Sequence, residues 1–328
     1  MKNNQIGIIG LGYWGTNIVN VLEKLNIKRI YCYDISRENL REIKKKFPYI
    51  TIFKKLDDLL NIKLDGIVIS VSTKFHYEIS KKCLLKGHNI FVEKPVTNSS
   101  KKLIKLHRLA KLKKKIIMSG YIYYYNNYID YIKKKLKKNL LGKIKYISFE
   151  RLNLGPVRSD ISSAWDLASH DISIFFYLFE KNLKILKSSG YDILKKKVED
   201  INVISARMDN VKIDIKSSWL NPEKIRKLVI IGQKKMLLFN EMDKKNPIKI
   251  YNKFASYPKI KKFKKGFFTP KANIYLGSTF CPKLKFSSPL EEEMKEFIKC
   301  INLNKKPKTS TAISLKVLKT LEKLNWIN

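Results

Sequence analysis

The sequence predicts an α/β fold, with an N-terminal doubly wound parallel sheet and a C-terminal α+β domain built on a mostly antiparallel sheet. Three features of its 328 residues support this prediction. Short runs rich in β-branched residues alternate with helical stretches up to Gly120. A glycine-rich turn directly follows the first of these runs. Beyond Gly120, strand-like runs follow one another with only short turns between them.

The first predicted domain covers residues 1–121. Its strands are short and apolar: Gln5–Gly10, Arg29–Tyr33, Tyr49–Phe53, Gly66–Ser70, Asn89–Val92 and Ile116–Ser119. Its helices have apolar residues at helical spacing: Gly15–Leu25, Glu38–Lys46, His76–Lys86 and Lys101–Lys113. Strand and helix in strict alternation indicate parallel strands joined by crossover helices.

The second predicted domain covers residues 122–328. Its predicted helices are Tyr128–Asn139, Ser163–Phe179, Pro289–Ile301 and Ala312–Leu324. Its predicted strands are Lys143–Arg151, Ile185–Leu194, Asn202–Met208, Lys212–Trp219, Lys227–Ile231 and Met236–Asn240. The stretch 243–288 is rich in lysine and aromatic residues without a clear period, so no structure is predicted for it.

The composition excludes several classes of protein. The formal net charge is +40, yet only eight of the 68 basic residues are arginine. Because arginine is the residue that recognises phosphate and guanine bidentately, we expect no specific nucleic-acid partner. No apolar run reaches the roughly 20 residues of a membrane span, and the N-terminus leads into a motif rather than a signal peptide. We expect a cytoplasmic protein whose four cysteines are core thiols: Cys32, Cys83, Cys281 and Cys300.

A Gly-x-Gly-x-x-Gly motif stands directly after the first strand, with Gly10, Gly12 and Gly15 enclosing Tyr13 and Trp14. The first glycine permits a tight turn, the second lets a pyrophosphate approach the backbone, and the third lets helix and strand pack closely. The following helix presents free N–H groups to phosphates. The motif in this context predicts a Rossmann dinucleotide site.

The cofactor preference depends on the end of the second strand. Asp34 lies about 20 residues beyond the glycines, where a carboxylate accepts hydrogen bonds from a ribose and repels a 2′-phosphate. This favours NAD over NADP. Two alternatives stay open: Arg37 reaches a 2′-phosphate instead, or Asp34 caps the helix that begins near Ser36.

Three further segments complete a recognisable pattern: VSTKFHY at 71–77, FVEKP at 91–95 and WDLASHD at 165–171. Together with the glycine loop they resemble the Gfo/Idh/MocA family of oxidoreductases over essentially the whole chain. One departure is Ser72, where many relatives have proline.

The resemblance implies NAD-dependent hydride transfer at a secondary alcohol or ketone carbon of a sugar, nucleotide sugar or polyol, in a homodimer or homotetramer formed through the C-terminal sheet. It implies a catalytic set of Lys94, Asp166 and His170. The residues that match the family's cofactor contacts are Gly10, Gly12, Gly15, Asp34, Thr73, His76, Glu93 and Lys94.

The residues themselves support these roles. Histidine is the side chain that ordinarily titrates near neutral pH, so His170 is the candidate base. Asp166, four residues earlier, lies on the same face of a predicted helix. Lys94 follows a parallel strand, where such sheets bind their ligands, and is expected to stabilise an alkoxide. A cis peptide before Pro95 is predicted to aim it. No metal site is predicted.

Each assignment has an alternative. Ser163 and Asp166 also fit a capping box, with His170 as a core histidine. Four residues are predicted to contact substrate: Tyr125, Asn126, Arg158 and Trp165. The neighbouring Arg151 is a weaker candidate of the same kind. Ordinary hydrogen bonding or core packing accounts for these residues equally well.

The alternative functions are reduction of a non-sugar carbonyl or imine, and an NAD-binding sensor or scaffold without turnover.

Overall fold

The computed structural model of the chain describes residues 4–155, 157–158, 161–257 and 271–324. Its first sheet contains β1 (Gln5–Ile9), β2 (Arg29–Tyr33), β3 (Thr51–Phe53), β4 (Gly66–Ile69), β5 (Asn89–Glu93) and β6 (Ile117–Gly120). These strands are all parallel and stand in the order β3-β2-β1-β4-β5-β6. This is the strand order of a Rossmann fold, as predicted.

Helices connect these strands. They are α1 (Tyr13–Lys24), α2 (Arg37–Lys46), α3 (Leu56–Leu60), α4 (Thr73–Leu85) and α5 (Ser100–Leu112). Every residue of β4 is buried, because helices cover both faces of a parallel sheet. Helix α3 was not predicted, because its five residues are too few to show a helical period.

The second sheet is larger and mostly antiparallel, again as predicted. Its strands are β7 (Ile144–Leu154), β8 (Lys184–Tyr191), β9 (Ile201–Met208), β10 (Val211–Ser218), β11 (Leu220–Gly232), β12 (Met236–Asn240), β13 (Ile248–Ser256) and β14 (Asn273–Phe280). The order is β14-β13-β12-β11-β7-β10-β9-β8, and only β7 and β10 run parallel. Buried and more exposed residues alternate along β9, so one face of the strand is covered.

The remaining helices are α6 (Asn127–Lys137), α7 (Ser169–Phe179), α8 (Pro289–Leu303) and α9 (Thr311–Leu321). A π-helical turn at Ala164–Ala168 precedes α7. The sequence predicted one continuous helix there. A π-helical turn has no distinct apolar period, so the sequence pattern does not reveal it.

The chain divides into two compact units, and each unit is made of several separate segments of the sequence. The first contains residues 1–130, 172–177 and 286–323, and the second contains 131–171, 178–285 and 324–328. The prediction was one boundary after residue 121. The difference arises chiefly from α8 and α9, which pack against the parallel sheet: the rings of Phe297 and Phe91 lie 5.8 Å apart, edge to face.

The structure also adds to the expectations for residues 243–288 and for the cysteines. The stretch 243–288 contains the strands β13 and β14, although residues 258–270 of it lie outside the described part. Nearly every residue of β14 is exposed, which removes the alternating pattern that reveals a strand. Of the four predicted core thiols, three are buried, but Cys281 is half-buried. No helix within the described residues has the length and apolarity needed to cross a bilayer.

Candidate functional site

The three glycines of the first loop have different surroundings. Gly10 has φ +95°, and a Cβ added there would lie 2.5 Å from the carbonyl oxygen of Ser70. A Cβ on Gly15 would lie 1.9 Å from the carbonyl oxygen of Gly10. Around Gly12 there is nothing within 4 Å. The first and third glycines are therefore required by backbone packing, while the second leaves open space beside the backbone.

The N-terminus of α1 faces this open space. Gly12 is the residue that precedes the helix, and it has no side chain to cap the first-turn amides. No acidic residue lies in the first turn. The amides and the helix dipole therefore make this end electropositive, which suits a phosphate group.

Asp34 ties the end of β2 to the glycine loop. Its Oδ2 accepts a hydrogen bond from the Leu11 N–H at 2.6 Å, and its Oδ1 accepts one from the Ser36 N–H at 2.7 Å. The cap of α2 is Ser36, whose Oγ accepts from the Asn39 N–H at 3.2 Å. Asp34 is therefore not the helix cap considered above. Each carboxylate oxygen keeps a second lone pair for a ligand hydroxyl.

A cavity of about 360 Å³ lies at the carboxyl ends of β1, β2 and β4. It brings together three of the predicted cofactor residues, Gly10, Gly12 and Asp34. The rest of its wall consists of residues that were not predicted as cofactor contacts: Ile9, Tyr33, Ile35, Asn39, Leu56, Ser70, Val71, Ser72, Phe75 and Ile79. A mostly apolar wall with one carboxylate and an electropositive helix end fits the adenosine half of a dinucleotide.

The other seven predicted cofactor residues do not line this cavity: Tyr13, Trp14, Gly15, Thr73, His76, Glu93 and Lys94. Thr73 and His76 are buried, 4% and 1% exposed. The His76 ring nitrogens lie 2.8 Å from the Pro95 carbonyl oxygen and 2.9 Å from that of Val71, so this side chain joins two loops. Tyr13 is 85% exposed and stacks on Trp14, with ring centroids 5.8 Å apart.

Lys94 and Glu93 stand at the end of β5. The Lys94–Pro95 peptide is cis, which confirms that prediction. Lys94 is half-buried, and its N–H donates to Glu93 Oε2 at 3.2 Å. Burial raises the pKa of the Glu93 carboxyl to about 7, while the charge of the Lys94 ammonium acts in the opposite direction.

In the second unit, Asp166 lies in the π-helical turn. Its Oδ2 accepts a hydrogen bond from Trp219 Nε1 at 3.2 Å, and its Oδ1 lies 3.8 Å from Arg158 Nη1. The Asp166 side chain is 19% exposed. A cation and an indole N–H therefore hold this carboxylate while leaving part of it accessible. His170, one turn further on, is half-buried.

Two buried contacts fix the ends of the segment that carries Asp166 and His170. At its start, Ser163 Oγ accepts a hydrogen bond from Asn202 Nδ2 at 2.7 Å and makes no capping bond, which contradicts the capping-box alternative. At its end, Asp171 is paired with Arg151, with Nη2 and Oδ1 2.7 Å apart.

Arg151 and Asn202, the partners in these two contacts, stand at the same level of the sheet on strands that both neighbour β10. Arg151 on β7 stands opposite Ser217 on β10, which stands opposite Asn202 on β9. Burial raises the pKa of Asp171, and the charge of Arg151 opposes that shift. Arg151 is 4% exposed and occupied by Asp171, so the structure gives it a structural contact in place of the predicted contact with substrate.

The other predicted substrate residues are placed as follows. In the first unit, the Tyr125 hydroxyl lies 3.1 Å from Thr309 Oγ1. Asn126 caps α6, because its Oδ1 accepts from the N–H groups of Tyr128 and Ile129. In the second unit, Trp165 is half-buried beside Asp166 in sequence. Within the part of the chain that the structure describes, no three His, Cys, Asp or Glu side chains come together as metal ligands.

Comparison with known proteins supports the same picture. A family model described as "Oxidoreductase family, NAD-binding Rossmann fold" matches residues 4–121. The NADP(+)-dependent scyllo-inositol 2-dehydrogenase IolW of Bacillus subtilis is 22% identical over 192 residues, which is 53% of this chain and 51% of that protein. The 2,7-anhydro-N-acetylneuraminate hydratase of Escherichia coli is 26% identical over 140 residues, 42% of this chain and 37% of that protein. The matched segments thus span about half or less of these relatives.

Solved structures extend the likeness to the whole chain. UDP-N-acetylglucosamine 3-dehydrogenase GnnA of Acidithiobacillus ferrooxidans superimposes with a TM-score of 0.79 at 18% sequence identity. The match covers 99% of this chain and 97% of that one. At this level of identity the likeness shows a shared fold.

Proposed function

We propose that the chain is an oxidoreductase of the Gfo/Idh/MocA family, whose NAD-binding Rossmann model matches residues 4–121, and that it transfers a hydride between a nicotinamide cofactor and a secondary alcohol or ketone carbon of a sugar, nucleotide sugar or polyol. The observation that carries the proposal is the cavity beside Gly12, bounded by the Asp34 carboxylate. It fits a dinucleotide at the position where doubly wound sheets bind one.

We propose Gly10, Gly12, Gly15 and Asp34 as the residues that hold the adenosine and pyrophosphate parts of the cofactor, with NAD preferred. The Asp34 carboxylate, fixed by two backbone N–H groups, favours a free ribose hydroxyl over a 2′-phosphate. Arg37 is exposed at the start of α2 and leaves NADP as the second choice. Thr73, His76, Glu93 and Lys94 serve the same site in this proposal, His76 by contacting the carbonyl oxygen of Pro95, the residue after Lys94. Tyr13 and Trp14 complete the predicted set.

The reaction requires a base for the alcohol proton. We assign that role to His170 and propose that Asp166, held in place by Arg158 and Trp219, orients the substrate or the imidazole. Lys94 stabilises the alkoxide in this scheme. A bound nicotinamide supplies the hydride acceptor in one direction and the donor in the other. Arg158 and Trp165 are proposed substrate contacts, as are Tyr125 and Asn126.

The test is turnover by the purified full chain on a panel of sugars, nucleotide sugars and polyols, with NAD and NADP in parallel. We expect reduction of NAD with at least one of them. His170→Ala and Lys94→Ala are each expected to lower kcat by about a hundredfold or more, because each removes a group that acts in the transition state.

Two variants control for the loss of a histidine or a lysine as such. His107→Ala removes an imidazole that contacts Thr311, and Lys101→Ala removes an exposed lysine of α5. Both are expected to turn over like the wild type. Normal turnover in His170→Ala would remove that residue from its role, and NADH binding without turnover on the whole panel would favour a sensor.

One relative named as a hydratase makes a second readout necessary, because hydration of a sugar causes no net oxidation. The panel is therefore also followed by NMR of the sugar. A changed sugar without net NADH would favour a reaction of that kind over dehydrogenation.

We also propose a homodimer or homotetramer formed through the C-terminal sheet. The apolar side chains of Ile274 and Leu276 on β14 are 72% and 82% exposed, which supports burial by a second copy. Light scattering on the full chain is expected to give at least twice the mass of the 38.5 kDa chain. The mass of a single chain would refute this assembly.

A further inference from the structure

Helix α8 lies along β5 in a fixed register. Residues i and i+4 of a helix share a face, so Glu293, Phe297 and Ile301 all face the sheet. Each of them lies near a different position along β5. Ile301 fills the space above Gly66, which pairs with Asn89 at the start of β5. One turn earlier, Phe297 packs on Phe91.

The next turn brings Glu293 to the level of Glu93. Four helical residues advance about 6 Å and two strand residues about 6.6 Å, so the register is maintained along both elements. Glu93 lies on the same side of β5 as Phe91, two residues away. Across the sheet stands Gly120, and a Cβ there would lie 2.8 Å from Glu93 Oε2. The absence of a side chain at Gly120 gives the Glu93 carboxyl its space.

Both carboxyl groups are buried. Glu93 is 7% exposed and Glu293 is 1% exposed. Among the described residues, Glu293 Oε1 has no hydrogen-bond partner. An ionised carboxylate in that position would be a buried charge without compensation, whereas the neutral acid avoids most of that cost.

We propose that Glu93 and Glu293 form a buried acid pair in which Glu293 keeps its proton at neutral pH, so that the pair presents one negative charge to Lys94 instead of two. Glu93 is the member that loses its proton first, because the ammonium of Lys94, the next residue, favours its charged form. The pair acts as a positioning device for that lysine. The role of Lys94 in catalysis rests on the proposed function. The protonation of the two glutamates does not depend on it.

The neighbouring charges agree with this assignment. Burial raises the pKa of Glu293 well above its usual range, and the charge of Glu93 raises it further. Lys94 lowers the pKa of Glu93. The 3-10 turn Ile122–Tyr125 packs against α8. Burial raises the pKa of Tyr125 in this turn, and the charges of Glu293 and Glu296 raise it further. Among the described groups of α1, which also contacts α8, none contributes to either carboxyl shift.

The direct test counts protons on the cofactor-free full chain, labelled with ¹³C at the glutamate carboxyl carbons and titrated by NMR. We expect two glutamates with raised midpoints: Glu93, whose pKa is raised by burial to about 7, and a second one that keeps its proton past that point and titrates in the alkaline range. Glu293→Gln should abolish the alkaline resonance. Glu93→Gln should lower the midpoint of the same resonance without returning it to the ordinary range, because burial remains but the neighbouring charge is gone.

The matched control is Glu292→Gln, which neutralises an adjacent carboxyl whose side chain is 44% exposed and pairs with Lys295. It should leave the alkaline titration unchanged. The proposal is overturned if no glutamate is protonated at neutral pH, if the alkaline resonance survives in Glu293→Gln, or if Glu93→Gln leaves its midpoint unmoved. Should Glu293→Gln fail to fold, the wild type and Glu93→Gln decide the matter by themselves.

Unfolding provides a second readout. A carboxyl whose pKa is raised by folding binds more protons in the folded state, so the unfolding free energy falls as pH rises from the unfolded to the folded pKa. Wild type is therefore expected to lose stability toward alkaline pH relative to Glu293→Gln. In the turnover assay the same variant should lack the alkaline inflection of Glu293. A chain without turnover would refute the proposed function and leave the proton count intact.

Discussion

Arg151→Ala is expected to lower the free energy of unfolding by about 3–5 kcal/mol. Its guanidinium pairs with Asp171 through Nη2 at 2.7 Å and Nε at 3.1 Å, and both residues are nearly fully buried. Removing the arginine leaves a buried carboxylate without its paired cation, with only the weaker charge of Arg226 acting on it. Since Asp171 directly follows His170, we also expect turnover to fall. Thermal and denaturant unfolding measure the first effect.

The chain offers a close control on the next strand. Arg226 stands directly opposite Arg151 in the sheet and pairs with Glu241 at 3.1 Å, but its side chain is 30% exposed. Arg226→Ala should cost about 1 kcal/mol or less, because solvent screens such a pair. Arg151→Met combined with Asp171→Leu removes both charges and should restore most of the lost stability.

An Arg151→Ala variant that melts like wild type would show that the pair does not fix this segment. Acid should rescue the variant in part. Burial already raises the pKa of Asp171, and losing Arg151 raises it further. Protonation then removes the uncompensated charge as the pH falls.

The first sheet follows closely from the sequence because its information is local. β2 has the predicted bounds, Arg29–Tyr33, and β1 differs from its prediction by one residue at Gly10. Buried parallel strands are continuous apolar runs, and the glycine loop marks the turn that joins the first strand to its helix. The cis peptide at Pro95 was predicted on the same local grounds.

The rest of the candidate site depends on contacts between distant segments. Leu56 and Ile79 line one cavity only because β3, β2, β1 and β4 are neighbours in the sheet. Glu293 lies 200 positions from Glu93, and its helical pattern is the same whether the carboxyl faces solvent or core. Arg151 looked like a substrate contact because a single sequence does not show that Asp171 occupies it.

Gly12→Ala and Gly15→Ala form a matched pair that separates ligand exclusion from misfolding. At Gly15 an added Cβ would lie 1.9 Å from the carbonyl oxygen of Gly10, which is backbone and moves only with the loop. We expect Gly15→Ala to lose about 1–3 kcal/mol of stability, the usual cost of overpacking, together with NADH binding. Gly12 has φ −64° and ψ −166°, angles open to alanine, and has no atom within 4 Å.

Gly12→Ala should therefore unfold like wild type, within about 0.5 kcal/mol. If the pyrophosphate passes over this backbone as proposed, the new methyl group occupies its path, and NADH should bind at least about tenfold more weakly, a cost of about 1.4 kcal/mol. Titration of NADH fluorescence measures the affinity and thermal unfolding measures the fold. Unchanged affinity in Gly12→Ala would place the pyrophosphate elsewhere, whereas weak binding with intact stability shows that the open space at Gly12 is the path of the ligand.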